Sequence, residues 1–331
     1  MIQRETTIDI GKTQSRDNTF DMMKCIGILA VIIGHLTTVG EQFIFSWHMP
    51  LFFIIAGYFY HERNVKDTIV KDVKHLLLPY LVTCLAIISY YSWLSVYNHQ
   101  DLVSHWLIAS LYGNGSLNHT SKYFSQVPII GAIWFLWALF WCKNIFNVIY
   151  KVCRHYYFLV CLTLAIIAIL IDRYLINLPF AILPGISATL FYAIGCKIRE
   201  TGGFKTINLW IVILSLVTWV ISFVYFKMSM VRCFYENYPV NVFGACGGTY
   251  AIWAISLFIS KTEGRATKFI VWIGRNSMTF LCIHLFDLDV YTSSLLHVPS
   301  TLCIPYVILL CILGTYIMSK IPLTRKIFNI S

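Results

Sequence analysis

Residues 26–40, IGILAVIIGHLTTVG, and residues 45–60, FSWHMPLFFIIAGYFY, decide how this chain folds. Each is an apolar run holding one histidine: His35 near the end of the first, His48 near the start of the second. A third run, residues 269–286, FIVWIGRNSMTFLCIHLF, carries His284 close to its end. If these runs cross a membrane in alternating directions, the three histidines lie at a similar depth near one face. Ionisable groups inside a bilayer are costly and mark functional sites by default. Three at one depth point to a reaction centre or a proton path.

Composition agrees with a membrane reading. Of 331 residues, 58% are hydrophobic and 12% charged, with mean hydropathy +0.70. Soluble proteins carry roughly 25% charged residues. So few charges cannot cover a water-soluble surface, so an all-α polytopic membrane protein is expected. The whole chain, 1–331, reads as a single integral-membrane domain, because no polar stretch is long enough to fold separately. The longest, 98–127, is expected to be an extracytoplasmic loop. A net charge of +10 could suggest nucleic acid, but the positive charges recur in short loops between apolar spans, which is an orientation signal. The first residues lack a signal peptide's basic start and apolar core, so the first span is expected to stay as an uncleaved anchor.

A spanning helix needs about 20 mostly apolar residues. That template places ten spans, near 20–39, 45–60, 76–97, 128–150, 156–172, 178–196, 208–226, 240–260, 268–287 and 302–320. The second and fifth are short. The sixth holds Pro179, Pro184 and Gly185, which suit a kink or a re-entrant segment. With the N-terminal tail, 1–19, inside, nineteen Lys and Arg fall in inner segments and four in outer ones, Lys122, Arg173, Lys227 and Arg232. The bias predicts both termini in the cytoplasm and the three histidines toward the outer side.

Helical residues advance about 100° each, so Lys24 and His35 differ by only about 20° around the first helix, and Asp21 and His35 by about 40°. One stripe therefore carries Asp21, Lys24 and His35. Asp21 and Lys24, three apart, can pair and lower each other's burial cost. Lys24 and His35 lie roughly 16 Å apart along the axis, so a small ligand cannot meet both but an elongated one can. The alternative is that Asp21 and Lys24 are snorkelling interfacial charges. For His35, a neutral imidazole can act as a general base near pH 7, with Glu41 or Asp287 as candidate orienters. The bland alternative is a histidine that only makes an interhelical hydrogen bond. Three histidines could bind a metal, but no spacing supports it, and none is expected.

The first inner loop, HERNVKDTIVKDVKHLLLPY, clusters Arg63, Lys66, Lys71 and Lys74, interrupted by Asp67 and Asp72. Such a cluster suits phosphates or anionic headgroups, although topology alone accounts for it. The aromatic group Trp134, Phe135, Trp137, Phe140 and Trp141 reads as a lipid-facing belt or a ligand wall. Asn114-Gly115-Ser116 and Asn118-His119-Thr120 match the glycosylation acceptor pattern by chance. Nine of eleven cysteines fall within apolar spans, without metal spacing or CxxC, and are expected to be buried apolar residues rather than disulfides.

The run from Arg16 to Tyr60 resembles the start of the membrane acyltransferase 3 family, above all its fucose 4-O-acetylase-like group. Gly34-His35 and His48-Met49-Pro50-Leu51-Phe52-Phe53 match that group's GH and HMPLFF elements. Ala56-Gly57-Tyr58 stands where Ser-Gly-Tyr is common, and Trp47 where Phe commonly precedes His-Met-Pro. Lys24 and His35 match the family's basic residue, ten-residue gap and histidine. Leu78-Pro79-Tyr80, Trp134-Phe135-Leu136 and Ile273-Gly274-Arg275-Asn276-Ser277-Met278, followed by His284, continue the match in order. The resemblance implies about ten spanning helices. It also implies transfer of an acyl group, usually acetyl, from cytoplasmic acetyl-CoA to a carbohydrate hydroxyl at the outer side, with the residue matched by His35 essential.

The expectation is therefore a membrane O-acyltransferase, in a bacterial inner or plasma membrane, acting on a cell-surface or lipid-linked glycan. His35 would be the base or would carry the acyl group, while His48 and His284 orient substrate or tune it. Lys24, Asp21, Arg275, Lys66, Lys71 and Lys74 are expected on the donor side. A transporter or flippase of a lipid-linked sugar would also need buried charges, but it predicts internal repeats, and none is seen in the sequence.

Overall fold

The computed structural model describes residues 18–117, 120–204, 207–290 and 292–331. Residues 1–17 of the expected cytoplasmic tail, Asn118 of the second glycosylation pattern and Lys205 of an expected inner loop lie outside the described residues.

The described residues are mostly helical. Its helices are α1 Thr19–Leu36, α2 Glu41–Phe45, α3 His48–Tyr58, α4 Val65–Asp72, α5 Leu78–Asn98, α6 Val103–Tyr112, α7 Trp134–Val152 and α8 Tyr157–Tyr174. They continue as α9 Ile182–Ser187, α10 Thr189–Glu200, α11 Leu209–Tyr225, α12 Tyr238–Ser260, α13 Arg265–Arg275, α14 Ser277–Val290, α15 Thr292–Leu295, α16 Cys303–Lys320 and α17 Pro322–Ile327. A two-stranded antiparallel ribbon, β1 Met228–Ser229 with β2 Phe234–Tyr235, follows α11.

All ten apolar segments are helical at least in part. Among the described residues, five helices are long and apolar enough to cross a membrane, or six if one bent pair counts as a single span. The third segment is longer than expected: α4 and α5 join through a π-helical turn, Val73–Leu77, into one run of 34 residues, Val65–Asn98. The second is only 11 residues long. The fourth begins at Trp134, because Gly131 takes a left-handed conformation (φ +79°) that ends the preceding irregular stretch. The ninth is not straight: α13 and α14 meet at 70°. The break sits at Asn276, whose amide nitrogen Nδ2 donates to Trp272 O at 2.8 Å, a local bond that competes with the helical ladder. The expected outer loop 98–127 contains α6, whose Ala109 is fully buried.

Helices α8, α11 and α16 present large apolar side chains outward, among them Leu159, Leu170, Trp210, Leu214 and Leu313, each at least half exposed. A bilayer, not water, covers such a surface. Together with the long apolar helices it makes this an integral membrane protein. The interior is packed by Trp253, Tyr80, Phe53, Phe146 and Phe280, all under 2% exposed.

Close crossings rely on glycine. A Cβ at Gly57 of α3 would fall 2.0 Å from Tyr192 O of α10, and one at Gly195 of α10 would fall 2.0 Å from Ile54 O of α3. The two helices therefore touch backbone to backbone, the use of small residues expected where lipid offers no hydrophobic drive. This crossing fixes α3, and with it His48. Gly57→Ala is expected to destabilise the fold by at least about 1–3 kcal/mol. It should lower the melting midpoint of detergent-solubilised protein. Gly264→Ala, where a Cβ meets nothing within 4 Å, should leave the midpoint in place. An unmoved midpoint for Gly57→Ala would refute the close crossing.

Candidate active site

Two helices hold the charged end of the site. Asp21 of α1 is 2% exposed. Its Oδ1 accepts from Lys24 Nζ at 3.3 Å and its Oδ2 from Arg275 Nε at 3.0 Å, so two cations share one buried carboxylate. Arg275 Nη2 also donates to Asn18 Oδ1 at 3.3 Å. Gly274 lets α13 reach α1, since a Cβ there would overlap Asp21 O at 1.7 Å. Lys24 and Arg275 both line a cavity of about 300 Å³ whose other walls are mostly apolar, including Ile28, Phe52, Phe135, Leu136 and Leu139.

The histidine end lies farther along α1. The rings of His35 and His284 are 5.6 Å apart, and His35 and His48 line one small cavity of about 70 Å³. All three histidines are thus brought together. His35 is exposed as a residue, while His48 is 3% and His284 0% exposed. His48 Nδ1 lies 2.7 Å from Ile44 O and His284 Nδ1 3.2 Å from Phe280 O. A carbonyl only accepts, so each of these nitrogens carries the proton and each neutral ring keeps an Nε2 lone pair. His284 Nε2 is buried with no hydrogen-bond partner. An orphaned buried acceptor costs about 1–3 kcal/mol, a cost removed when a donor arrives. The arrangement can orient and deprotonate a hydroxyl. Glu41 is exposed at the start of α2 and lines neither cavity, whereas Asp287 is buried one turn beyond His284.

A third cavity, about 240 Å³, is basic. Its walls include His61, Arg63, Lys71, Lys143, Asn147 and Tyr192. Lys143 of α7 pairs with buried Asp72, and Asn147 Oδ1 accepts from Tyr60 OH at 2.9 Å. Partial burial, then the charges of Arg199, Arg63 and Lys71, push the His61 pKa below its usual value. Of the expected loop cations, Lys71 lines this cavity, while Lys66 and Lys74 are exposed and line none of the three.

The three cavities form a row. The basic one shares Ala56, Phe59 and Leu139 with the Lys24–Arg275 cavity. That cavity shares Val31, Met49 and Leu281 with the histidine cavity. Several lining residues had escaped the sequence reading. By sequence Lys143 counts only as one of the nineteen inner cations and Asn147 is not singled out, although an ionisable residue followed by two asparagines, KNIFN, is a usable signal. Ser229, Met230 and Val231, which cover the histidines, carry no such signal. Trp134 is 5% exposed and lines the histidine cavity, which corrects the expectation of a lipid-facing belt at that residue: α7 runs through the interior. Asn114 is 6% exposed and doubly bonded, donating to Leu178 O and accepting from Ala181 N, so it is no glycan acceptor. Among the described residues no three His, Cys, Asp or Glu side chains converge as a metal site.

The acyltransferase domain family, acyltransferase 3, matches residues 17–320. The chain belongs to it. Among curated proteins, the nodulation protein NolL of Mesorhizobium japonicum is 31% identical over 147 residues, 39% of this chain and 34% of that protein. NolL of Sinorhizobium fredii is 27% identical over 142 residues, 38% of this chain and 34% of that protein. The chain thus spans about a third of the length of these curated relatives. No solved structure matches it.

Because Lys24 and Arg275 share Asp21, Asp21→Ala should strand both in a half-buried setting. The expected loss is about 1–3 kcal/mol, less than for a fully buried pair because the cations keep some water. Removing Glu62 from its exposed pair with Arg154 should cost at most about 1 kcal/mol. Denaturant unfolding of the two variants checks this, and equal losses would refute it.

Proposed function

We propose that this membrane acyltransferase moves an acetyl group from acetyl-CoA, arriving from the cytoplasm, to a hydroxyl of a cell-surface or lipid-linked carbohydrate, and that it does so as a ten-span protein with both termini inside. The observation that carries the reading is the row of cavities from a basic end, past Lys24 and Arg275, to the histidines. Its polarity suits a long donor with phosphates at one end and a neutral thioester at the other. The family supplies the reaction class.

In this reading the donor phosphates lie against Arg63, Lys71 and Lys143, with Lys66 and Lys74 adding positive field outside the cavity. The pantetheine arm runs past Lys24 and Arg275. His35 takes the proton of the acceptor hydroxyl while its oxygen attacks the thioester carbon. The new C–O bond forms and the C–S bond breaks. The proton passes to the departing thiolate, releasing coenzyme A as its thiol. His284, with its lone pair free, orients the hydroxyl or the His35 ring, and His48 closes the other side. One break between α13 and α14 is also what a transporter would contain. A proton-coupled transporter would use buried histidines too, so what favours acyl transfer is the family.

His35→Ala is expected to insert and fold normally but to lose about 10²–10⁴ of the acylation rate, the usual worth of a general base. Glycan analysis of the complemented deletion strain reads this out, and wild-type acylation would end the assignment. Lys24→Ala should raise the KM for acetyl-CoA more than it lowers kcat. In sealed inside-out vesicles, acetyl-CoA added outside should label glycan held in the lumen. Vesicles that move an unmodified lipid-linked sugar without acylating it would favour the transporter.

A further inference from the structure

We propose that Val31, Met49 and Leu281 form an acyl-length filter between the donor cavity and the histidine cavity. The inference rests on the acyl-transfer reading above and assigns its specificity. These three side chains line both cavities, so they are the wall between them. They come from three different helices, and each sits beside one of the three histidines. Val31 is one turn before His35 on α1, Leu281 is three residues before His284 on α14, and Met49 follows His48 on α3. At about 1.5 Å per residue the constriction lies roughly 4–6 Å along the helix axes from His35 and His284.

The volumes on either side differ sharply. The donor side offers about 300 Å³ and the histidine side about 70 Å³. The histidine cavity is walled by Phe45, Ala132, Trp134 and Met230 and holds only about 70 Å³, so an acyl chain carried past the constriction finds little room beyond it. A two-carbon acyl group can enter with its carbonyl beside His35. A longer one must push its tail back against Val31 and Leu281, which are 3% and 6% exposed and have little freedom to yield. Val31 is β-branched and stiff within a helix. Met49 is only partly buried, and its unbranched thioether can swing. Met49 is therefore the element that lets the thioester through and sets the limit on length.

The test is an internal competition. Membrane vesicles holding their own glycan acceptors receive equal acetyl-CoA and butanoyl-CoA, and the ratio of the two acyl groups on glycan is measured. The ratio does not depend on how much of a variant folds. The wild type is expected to favour acetyl by at least about tenfold, since one methylene in an apolar pocket is worth about 10–200-fold. Met49→Ala should shift the ratio toward butanoyl by about tenfold, and Leu281→Ala should shift it in the same direction. Met49→Leu, which conserves volume, should restore the wild-type ratio. A wild type that transfers both groups equally, or alanine variants that transfer acetyl with an unchanged ratio, would overturn the filter and leave the acyl-transfer reading intact. A wild type that transfers no acyl group from either thioester would overturn that reading and the filter with it.

Discussion

The buried carboxylate of Asp21 is the contact on which the site depends. A cation in a helix bundle cannot be left without a partner, and here one carboxylate serves two, from two different helices. To reach it, Arg275 must come in on α13, which lies so close to α1 that only glycine fits at position 274. One residue beyond Arg275, Asn276 ends the helix, and α14 leaves at 70°. That turn carries His284 back along α1 until its ring is 5.6 Å from His35. The position of the cations and the meeting of the histidines are thus consequences of one docking event. Asn276 reinforces it: buried at 2% exposure, its Oδ1 accepts from Ser331 N at 3.0 Å and ties the far end of the chain to the same break.

What the sequence disclosed follows from what is rigid in one dimension. Within a single helix the angular step is fixed, so Asp21, Lys24 and His35 could be put on one stripe, and the Asp21–Lys24 contact could be foreseen. That the three histidines meet at one level was also legible, because alternating runs carry them to the same end of their segments. Lateral position was not. That His35 meets His284, rather than His48 alone, depends on the bend at Asn276, and a polar residue in an apolar run does not announce whether it breaks the helix or merely points inward. The basic cavity shows the same limit. Lys71 was visible as a loop charge, but Lys143 and Asn147 come from α7, and nothing in the order of residues says that α7 lies beside α4. Counting apolar windows put a helix in each of ten segments but missed α4 and α6, and it could not say which were long enough to cross: α3 has 11 residues and α10 has 12.

The distribution of polarity along the cavities explains why a site of this kind can work across a bilayer. A phosphate carries a desolvation cost that an apolar passage does not repay, whereas a thioester is neutral and loses little on leaving water. On the proposed reading, a mouth with Arg63, Lys71 and Lys143 and a middle walled by Phe52, Phe135 and Leu136 would sort the two ends of one donor molecule. Lys24 and Arg275 sit between the two regimes. Asp21 tempers their charge, so on the proposed reading they would meet the polar linker while the nucleotide end stays at the mouth. On the proposed reading the chemistry then falls at His35, beside two buried histidines. His48 and His284 are almost fully buried, and their protons are held by backbone carbonyls of their own helices. Those bonds fix the tautomer before any substrate arrives, so the lone pairs are ready at no cost in reorganisation. Only His35 is exposed as a residue. It is the one histidine of the three that an incoming hydroxyl can reach without first displacing packed side chains.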